Sequence, residues 1–570
     1  MTKRYTDLIL GLSLVLLAGV LVTGLLNCSV MTEFDKPLVL PDELACLDDD
    51  DCWSDESPQD DCNVCNTDTH TCAPEGTNAD SDDFFVCERA LERGTADCDD
   101  TREYTYPGAH EAADLLDNDC DGIIDDGALE AKDAEPDLIR KPTSGCEAPC
   151  LWSSPRMGWA DSSIYAVWES DEGRNQDRLR VAEFDVNGAS TMTEQLLVLK
   201  SGGDDHNMTE AGIAKSRESS STRTYGAVWI DLLGGRTIDL MRFQFSTDAA
   251  LGIERTAQEW PDDQNVLRET HRDAAHPVII AREGHDEYLV AWSGRDVAET
   301  GSDIFLAKFT APEPDGMVID TSRGADGFVN LSQTTGESEE GRPGLAQAGS
   351  GLVAAWINEA EDAIRIVYMT DYGATAPALG DIRTVPLPGI QDGSGHALRD
   401  LVIVRNEVSA STELAYLIFC GVPDGQSANE VWAVSVDLNS FASGLDADVF
   451  GTPLRISDSP AAPSIEAAAA WYDRAIGIAW SERRDGHNHV YFRRIADLET
   501  SRETSGVLAS DEINLSADEL DDTVNVYGQG PAIVATDSDQ DFAVMWWQRQ
   551  PAGGGTDTGD LYLRLVRPKE

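Results

Sequence analysis

Basic side chains are scarce. Of 570 residues only 42 are Lys or Arg, against 104 Asp and Glu, for a formal net charge of −62. Nucleic-acid binding needs cationic side chains to neutralise phosphates, and this balance excludes it. Docking on an anionic lipid surface is excluded for the same reason. Metal cations are the natural partners of such a chain. A Gly-rich phosphate loop, an HExxH pair and a GxSxG elbow are all missing, which removes three common catalytic plans. Cysteine nearly vanishes beyond residue 150, where Cys420 stands alone. Hydrophobic residues still make up 41% of the chain, enough to bury a core and exclude wholesale disorder.

What is present begins with an address. Lys3 and Arg4 precede an uncharged run from Leu8 to Leu26, the basic and apolar parts of an export signal. The run ends in Leu25-Leu26-Asn27-Cys28. This resembles the bacterial lipobox, which implies acylation of Cys28, although Asn27 replaces the usual small residue. An uncleaved anchor and a simple cleaved signal are the other readings of residues 1–27. All three export the remainder. The expected location is a bacterial outer membrane or cell surface, with membrane contact through the N-terminal anchor only.

Ten cysteines lie between Cys46 and Cys150, and in an exported protein such a cluster reads as disulfides. Residues 28–41 read as a linker and 42–76 as an acidic Cys-rich module. Residues 42–61 hold ten Asp or Glu and no Lys or Arg, so without cross-links this segment would repel itself. The pairing among Cys46, Cys52, Cys62, Cys65, Cys72 and Cys87 stays open. Cys62-x-x-Cys65 lacks a second ligand pair at zinc-finger spacing. Cys420 sits in an apolar stretch and reads as a small buried hydrophobe.

Residues 77–127 carry the densest chemistry. Asp117, Asp119 and Asp121 are spaced like positions 1, 3 and 5 of an EF-hand-type loop. Gly122 then supplies the turn, the Ile123 carbonyl takes position 7 and Asp125 position 9. Position 12 is Ala128, so the bidentate Glu of a true EF-hand is missing. Asp126, or Asp97, Asp99 and Asp100 brought near by a Cys98–Cys120 bridge, would complete the shell. Asn78, Asp80 and Asp82 form a weaker second copy. Oxygen ligands in this number suit Ca²⁺; the competing reading is a solvated acidic turn. The order Asp97-Cys98-Asp99-Asp100, Pro107-Gly108-Ala109-His110-Glu111, Asp117-Asn118-Asp119-Cys120-Asp121-Gly122 resembles the metal-binding motif of the MopE-type family. Copper, associated with some relatives, does not carry over, because His110 is the one His within the motif.

After a linker at 128–136 the pattern becomes periodic. Trp168, Trp229, Trp292, Trp356, Phe419, Trp480 and Trp546 each end an apolar strand, at intervals of 61 to 66 residues. A small-residue strand precedes each aromatic strand and an alternating strand follows it. Outer strands appear as Val329–Ser332, Leu454–Ser457 and Ile513–Ser516. Four antiparallel strands repeated seven times predict an all-β fold, a seven-bladed propeller over 137–570. Residues 137–141 are expected to close the ring as the outer strand of blade seven, removing an open edge. A Cys146–Cys150 bridge would pin the crossing into blade one.

Catalytic signals in the repeats are weak. Sialidase-like propellers carry Ser-x-Asp-x-Gly-x-x-Trp turns, and none occurs here. His487 and His489 read as a hairpin tip, lacking a third ligand. No carboxylate pair stands out among Asp171, Asp231, Asp296 and Asp485. The residues therefore point to a surface-anchored, calcium-stabilised binding or scaffold lipoprotein that presents its propeller to a protein or glycan. The alternative is a secreted propeller hydrolase acting on glycans.

Overall fold

The structure is a computed structural model. It describes the chain from Cys62 to Lys569 apart from connecting segments such as 141–150, 197–207 and 255–270. The export segment, Cys28, Cys46, Cys52, Asn78, Asp82, Ile123 and the expected Cys146–Cys150 bridge lie outside the described residues. Among those described, no helix is long and apolar enough to cross a membrane. The chain divides into two compact units, one reaching to His110 with Asn118–Asp121 added, the other Glu111–Asp117 with Gly122–Glu570.

The first unit has little regular structure. Asn63–Asn66 and Thr71–Pro74 form a hairpin that sets Cys65 opposite Cys72. Disulfides join Cys62 to Cys87 and Cys98 to Cys120, which rules out zinc on Cys62. Its core is small: Cys62, Ala90 and Ala96 are buried, with Phe85 against them. Phe84 stacks on Tyr106 with centroids 4.7 Å apart.

The second unit is the seven-bladed propeller. Its aromatic strands, such as Thr224–Asp231 and Gly351–Asn358, are buried along their whole length. That explains their near-continuous apolar sequence, since each is covered on both faces by neighbouring blades. Alternate side chains serve different interfaces. Tyr165 and Val167 pack towards blade two, whereas Ile164, Ala166 and Trp168 pack towards blade seven. Seven such clusters link the seven blades in succession. The last joins Met545 and Leu563 of blade seven to Trp168 of blade one, so the ring is closed. Gly226 and Gly477 let the next blade come close, for a Cβ there would meet Tyr288 at 2.7 Å and Phe542 at 2.6 Å.

The closing strand forms where the sequence places it. Asp137–Arg140 pairs antiparallel with Thr558–Pro568, matching Leu561 to Arg140 and Tyr562 to Leu138. Two readings need correction. Residues 128–136 are not simply a linker, because Leu129–Ala131 also pairs with that strand, opposite Val566 to Pro568. Outer edges are also split: Val318–Ile319 and Phe328–Asn330 share one neighbour in blade three, as do Val507–Leu508 and Ile513–Asn514 in blade six. Pairings of two or three residues leave too little alternation for a strand signal.

The Asn-Leu-Ser and Arg-Ile-Ser ends of these edges recur for a reason. Ser332, Ser457 and Ser516 Oγ accept the N–H groups of Ile304, Val431 and Val490, each at 3.1 Å. Each hydroxyl satisfies a buried donor where the outer strand stops.

Candidate functional site

Each innermost strand carries a register shift partway along. The displaced residues are Glu210, His276, Arg342, Asp400, Glu466 and Gly530, and all have positive φ, between 46° and 58°. Five are not glycine. Left-handed backbone at a non-Gly residue costs free energy that the surrounding ring must offset, and bulges of this kind re-aim side chains. Here they line one cavity of about 460 Å³ together with Arg156, Met157 and the small residues Ala467–Ala469 and Pro531–Ala532.

The charged groups of the cavity are cross-connected between blades. Glu210 pairs with Arg236 and accepts the His276 N–H at 2.5 Å. Asp400 pairs with Arg342 and accepts the Glu466 N–H at 3.1 Å. Glu466 in turn accepts the Gly530 N–H at 2.5 Å. Burial raises the Glu466 carboxyl above its usual range, with Asp400 adding to the rise and Arg156 and Arg342 opposing it. Burial lowers the His276 imidazole, against the pull of Glu210. The cavity therefore holds a carboxyl biased towards its acid form next to one paired with a guanidinium.

None of these residues stood out in the sequence. A usable signal existed: Glu210-Ala-Gly, His276-Pro-Val, Arg342-Pro-Gly, Asp400-Leu-Val and Glu466-Ala-Ala each put one titratable residue directly before a small or apolar run. Of the turn carboxylates weighed instead, Asp171, Asp231 and Asp296 close their aromatic strands, and Asp485 lies outside the described residues. His487 and His489 open a strand at a tight hairpin, half-buried, with ring centroids 6.5 Å apart.

The acidic motif places its residues unevenly. In the first unit, Asp97 accepts the Asp99 N–H and Asp99 binds Thr101 and Arg102. Asp100 accepts the Ala79 N–H, and Asp119 accepts the Asp121 N–H at 3.2 Å. In the second unit, Asp117 Oδ2 accepts the Gly122 N–H at 2.8 Å, where φ is +93°. That bond from first to sixth residue folds a tight loop. Asp125 is used differently from the spacing expectation. It is fully buried, accepts the Leu115 N–H and pairs with the equally buried Arg494 of blade six. Burial, opposed by Arg494, raises its carboxyl to about 6.

Glu111, Asp117, Asp119, Asp121 and Asp126 are among the acidic groups that could hold a metal ion. Their donors are hard oxygens, and both nearby sulfurs are consumed in the Cys98–Cys120 bond. Such a set fits a hard cation better than a soft one.

Comparison with known proteins agrees with the motif. A family model for the MopE-type metal-binding motif, labelled copper-binding, matches residues 97–126. No curated protein matches the chain. Among solved structures, an endosialidase of phage phi92 is 11% identical, covers 75% of this chain and 69% of its own, and has a TM-score of 0.39. A Trypanosoma rangeli sialidase mutant with trans-sialidase activity is 8% identical at 65% and 59% coverage, also with a TM-score of 0.39. A Penicillium chrysogenum α-L-arabinanase complexed with arabinobiose is 11% identical at 62% and 92%, with a TM-score of 0.34. Likeness this distant leaves the site chemistry to the chain's own residues.

Proposed function

We propose that the propeller is a glycan hydrolase with its site in the axial cavity, carried by a calcium-binding module. The observation that supports this reading is the Asp400–Glu466 pair. Two carboxyls on adjacent blades share one cavity; burial raises Glu466 while Asp400 is ion-paired with Arg342, an asymmetry from which acid and base roles follow. Glu466 would give its proton to the glycosidic oxygen as the C–O bond breaks. Asp400 would take a proton from the water that adds to the anomeric carbon. The small walls at Ala467–Ala469 and Pro531–Ala532 suit the C–H face of a sugar ring.

Binding without turnover is the second reading. It is favoured by the hydrogen bonds each axial carboxylate already accepts from the next blade, and it retains the scaffold role and a protein or glycan partner. Incubating the full chain with a panel of glycans separates the two. Hydrolysis should appear and fall by about 10²- to 10⁴-fold in Glu466→Gln, the usual contribution of a general acid. Glycan retention with no turnover would overturn the enzyme and leave the binder.

For the module, the Asp117–Gly122 loop geometry supports Ca²⁺, held by Asp117, Asp119 and Asp121 with Asp126. Asp125 is omitted because Arg494 and Leu115 already use its oxygens. Calcium would neutralise carboxylates that otherwise oppose folding of a core-poor unit. Calorimetric titration of the full chain with Ca²⁺ and Cu²⁺ should give heat for the first, and preference for the second would refute the assignment. Acylation of Cys28 and attachment to a bacterial outer membrane remain part of the same proposal; mass spectrometry of the mature N-terminus decides it.

A further inference from the structure

The innermost strands are equivalent in register. The residue that faces the position before each repeated aromatic is Gly212 in blade two, Val278 in three, Gly344 in four, Val402 in five, Ala468 in six and Ala532 in seven. Blade one places Arg156 there, opposite Val167. Five of those positions line the cavity with a hydrogen or a small apolar group, and blade one lines it with a guanidinium.

Arg156 is exposed and lines the cavity. Its contact is the carbonyl of Pro155 at 3.0 Å, and it forms no ion pair among the described residues. The other cavity guanidinium, Arg342, is spent on Asp400, while Arg236 is spent on Glu210. Packing gives no reason for a long cation at a position that six blades fill with small apolar residues. Arg156 is within electrostatic reach of Glu466 but forms no ion pair among the described residues, and a guanidinium so placed suits one ligand anion, bound through its planar fork.

We infer that the axial cavity takes a carboxylated sugar of the uronate class, with Arg156 as the residue that selects the carboxylate. This rests on the reading of the cavity as a glycan site. The charge of the whole chain narrows the ligand further. A surface of −62 repels polyanions over the Debye length, so a single carboxylate on a sugar is favoured over a polyphosphate or a heavily sulfated chain. Asp400 and Glu466 would then face hydroxyls and the glycosidic oxygen, not the acid group.

The test measures binding of the methyl glycosides of glucuronate, galacturonate and mannuronate, and of their neutral hexose counterparts, to the full chain. At least one uronate should bind about tenfold to a hundredfold tighter than its neutral partner, the range expected of one charge-assisted contact. Arg156→Gln should erase that ratio, and Arg156→Lys should restore part of it. Equal binding of each uronate and its neutral counterpart, or a ratio that survives in Arg156→Gln, overturns the role of Arg156 and spares the glycan site. Binding of none of the six overturns both. A melting temperature matching wild type shows that the variant folds.

Discussion

The propeller and the cysteine-rich module solve the same problem with opposite means. Ordering a chain costs about 1–2 kcal/mol per residue in backbone entropy. The propeller offsets this with seven apolar interfaces, each built from strands buried on both faces. The module buries few apolar side chains among its described residues, Cys62, Phe84, Ala90 and Ala96, and relies on disulfides such as Cys62–Cys87 and Cys98–Cys120 and on turns closed by carboxylates. A repeat can distribute its stability over many equivalent contacts, whereas a core-poor unit concentrates it in a few bonds. The two should therefore fail under different insults.

The largest expected effect lies in the ring. Trp480 is fully buried and its indole N–H donates to Glu482 at 2.9 Å. Trp480→Ala should destabilise the propeller by about 3–5 kcal/mol in chemical denaturation, with the Cys98–Cys120 bond still formed. A shift in the module alone would contradict the division. Asp125→Ala comes next and tests where the tail of the acidic motif belongs. It leaves Arg494 buried without its carboxylate, a loss of about 3–5 kcal/mol for a broken buried pair, and it should register in the unfolding of the propeller. Melting unchanged from wild type would show that the pair contributes nothing. Third, replacing Cys98 and Cys120 with Ser opens a loop of 22 residues, worth about 3 kcal/mol on chain-entropy grounds. Proteolysis should then cut residues 62–110 while the ring persists. If the ring is degraded at the same rate, the units are not independent in stability.

A smaller effect tests the outer edges. Ser332 Oγ accepts the Ile304 N–H at 3.1 Å and donates to Asp303 at 2.7 Å, all within the buried interior. Ser332→Ala strands the Ile304 N–H, while Asp303 keeps the Asn330 amide, and should cost about 1–3 kcal/mol, measured as a shift in denaturation midpoint. The same change in Ser516 should match it, because Ser516 meets Val490 in the same way. Unequal losses would mean that the shared motif does not do the same job in each blade.

Much of this contrast was legible in the sequence because the ring repeats itself. Seven aromatics near one period identify strand, blade and closure together, and the cysteine count identifies the other regime. The axial site was not legible for a matching reason. Its residues come one per blade, and alone each of Glu210, His276, Arg342, Asp400 and Glu466 reads as a strand boundary. Only the closed ring brings them to one cavity. Arg156 is visible as an exception only once register aligns it with Gly212 and Val278. Asp125 misled because spacing records order along the chain and not the direction in which a carboxylate turns. The outer edges were half-visible, since the Ser-ended pieces recur in sequence but the two-residue partners carry no pattern.

The smallest expected effect concerns protons and sharpens the comparison inside the ring itself. Burial holds Glu466 protonated above the range of an ordinary glutamate, which is about 4.3 in an unfolded chain. Between that value and its raised one, the folded protein binds a proton that the unfolded chain has already lost. Stability contributed by Glu466 is therefore fully present at low pH and declines as pH rises through this window. The slope cannot exceed about 1.4 kcal/mol per pH unit for one group. Glu466→Gln removes the titration, while its amide oxygen still accepts the Gly530 N–H. Unfolding by urea at half-unit steps from pH 4 to 8 should show the wild type losing stability relative to Glu466→Gln across the window, with parallel curves above it. Curves parallel throughout would mean that Glu466 titrates like a solvated glutamate, and its role as a proton donor would fall with that result.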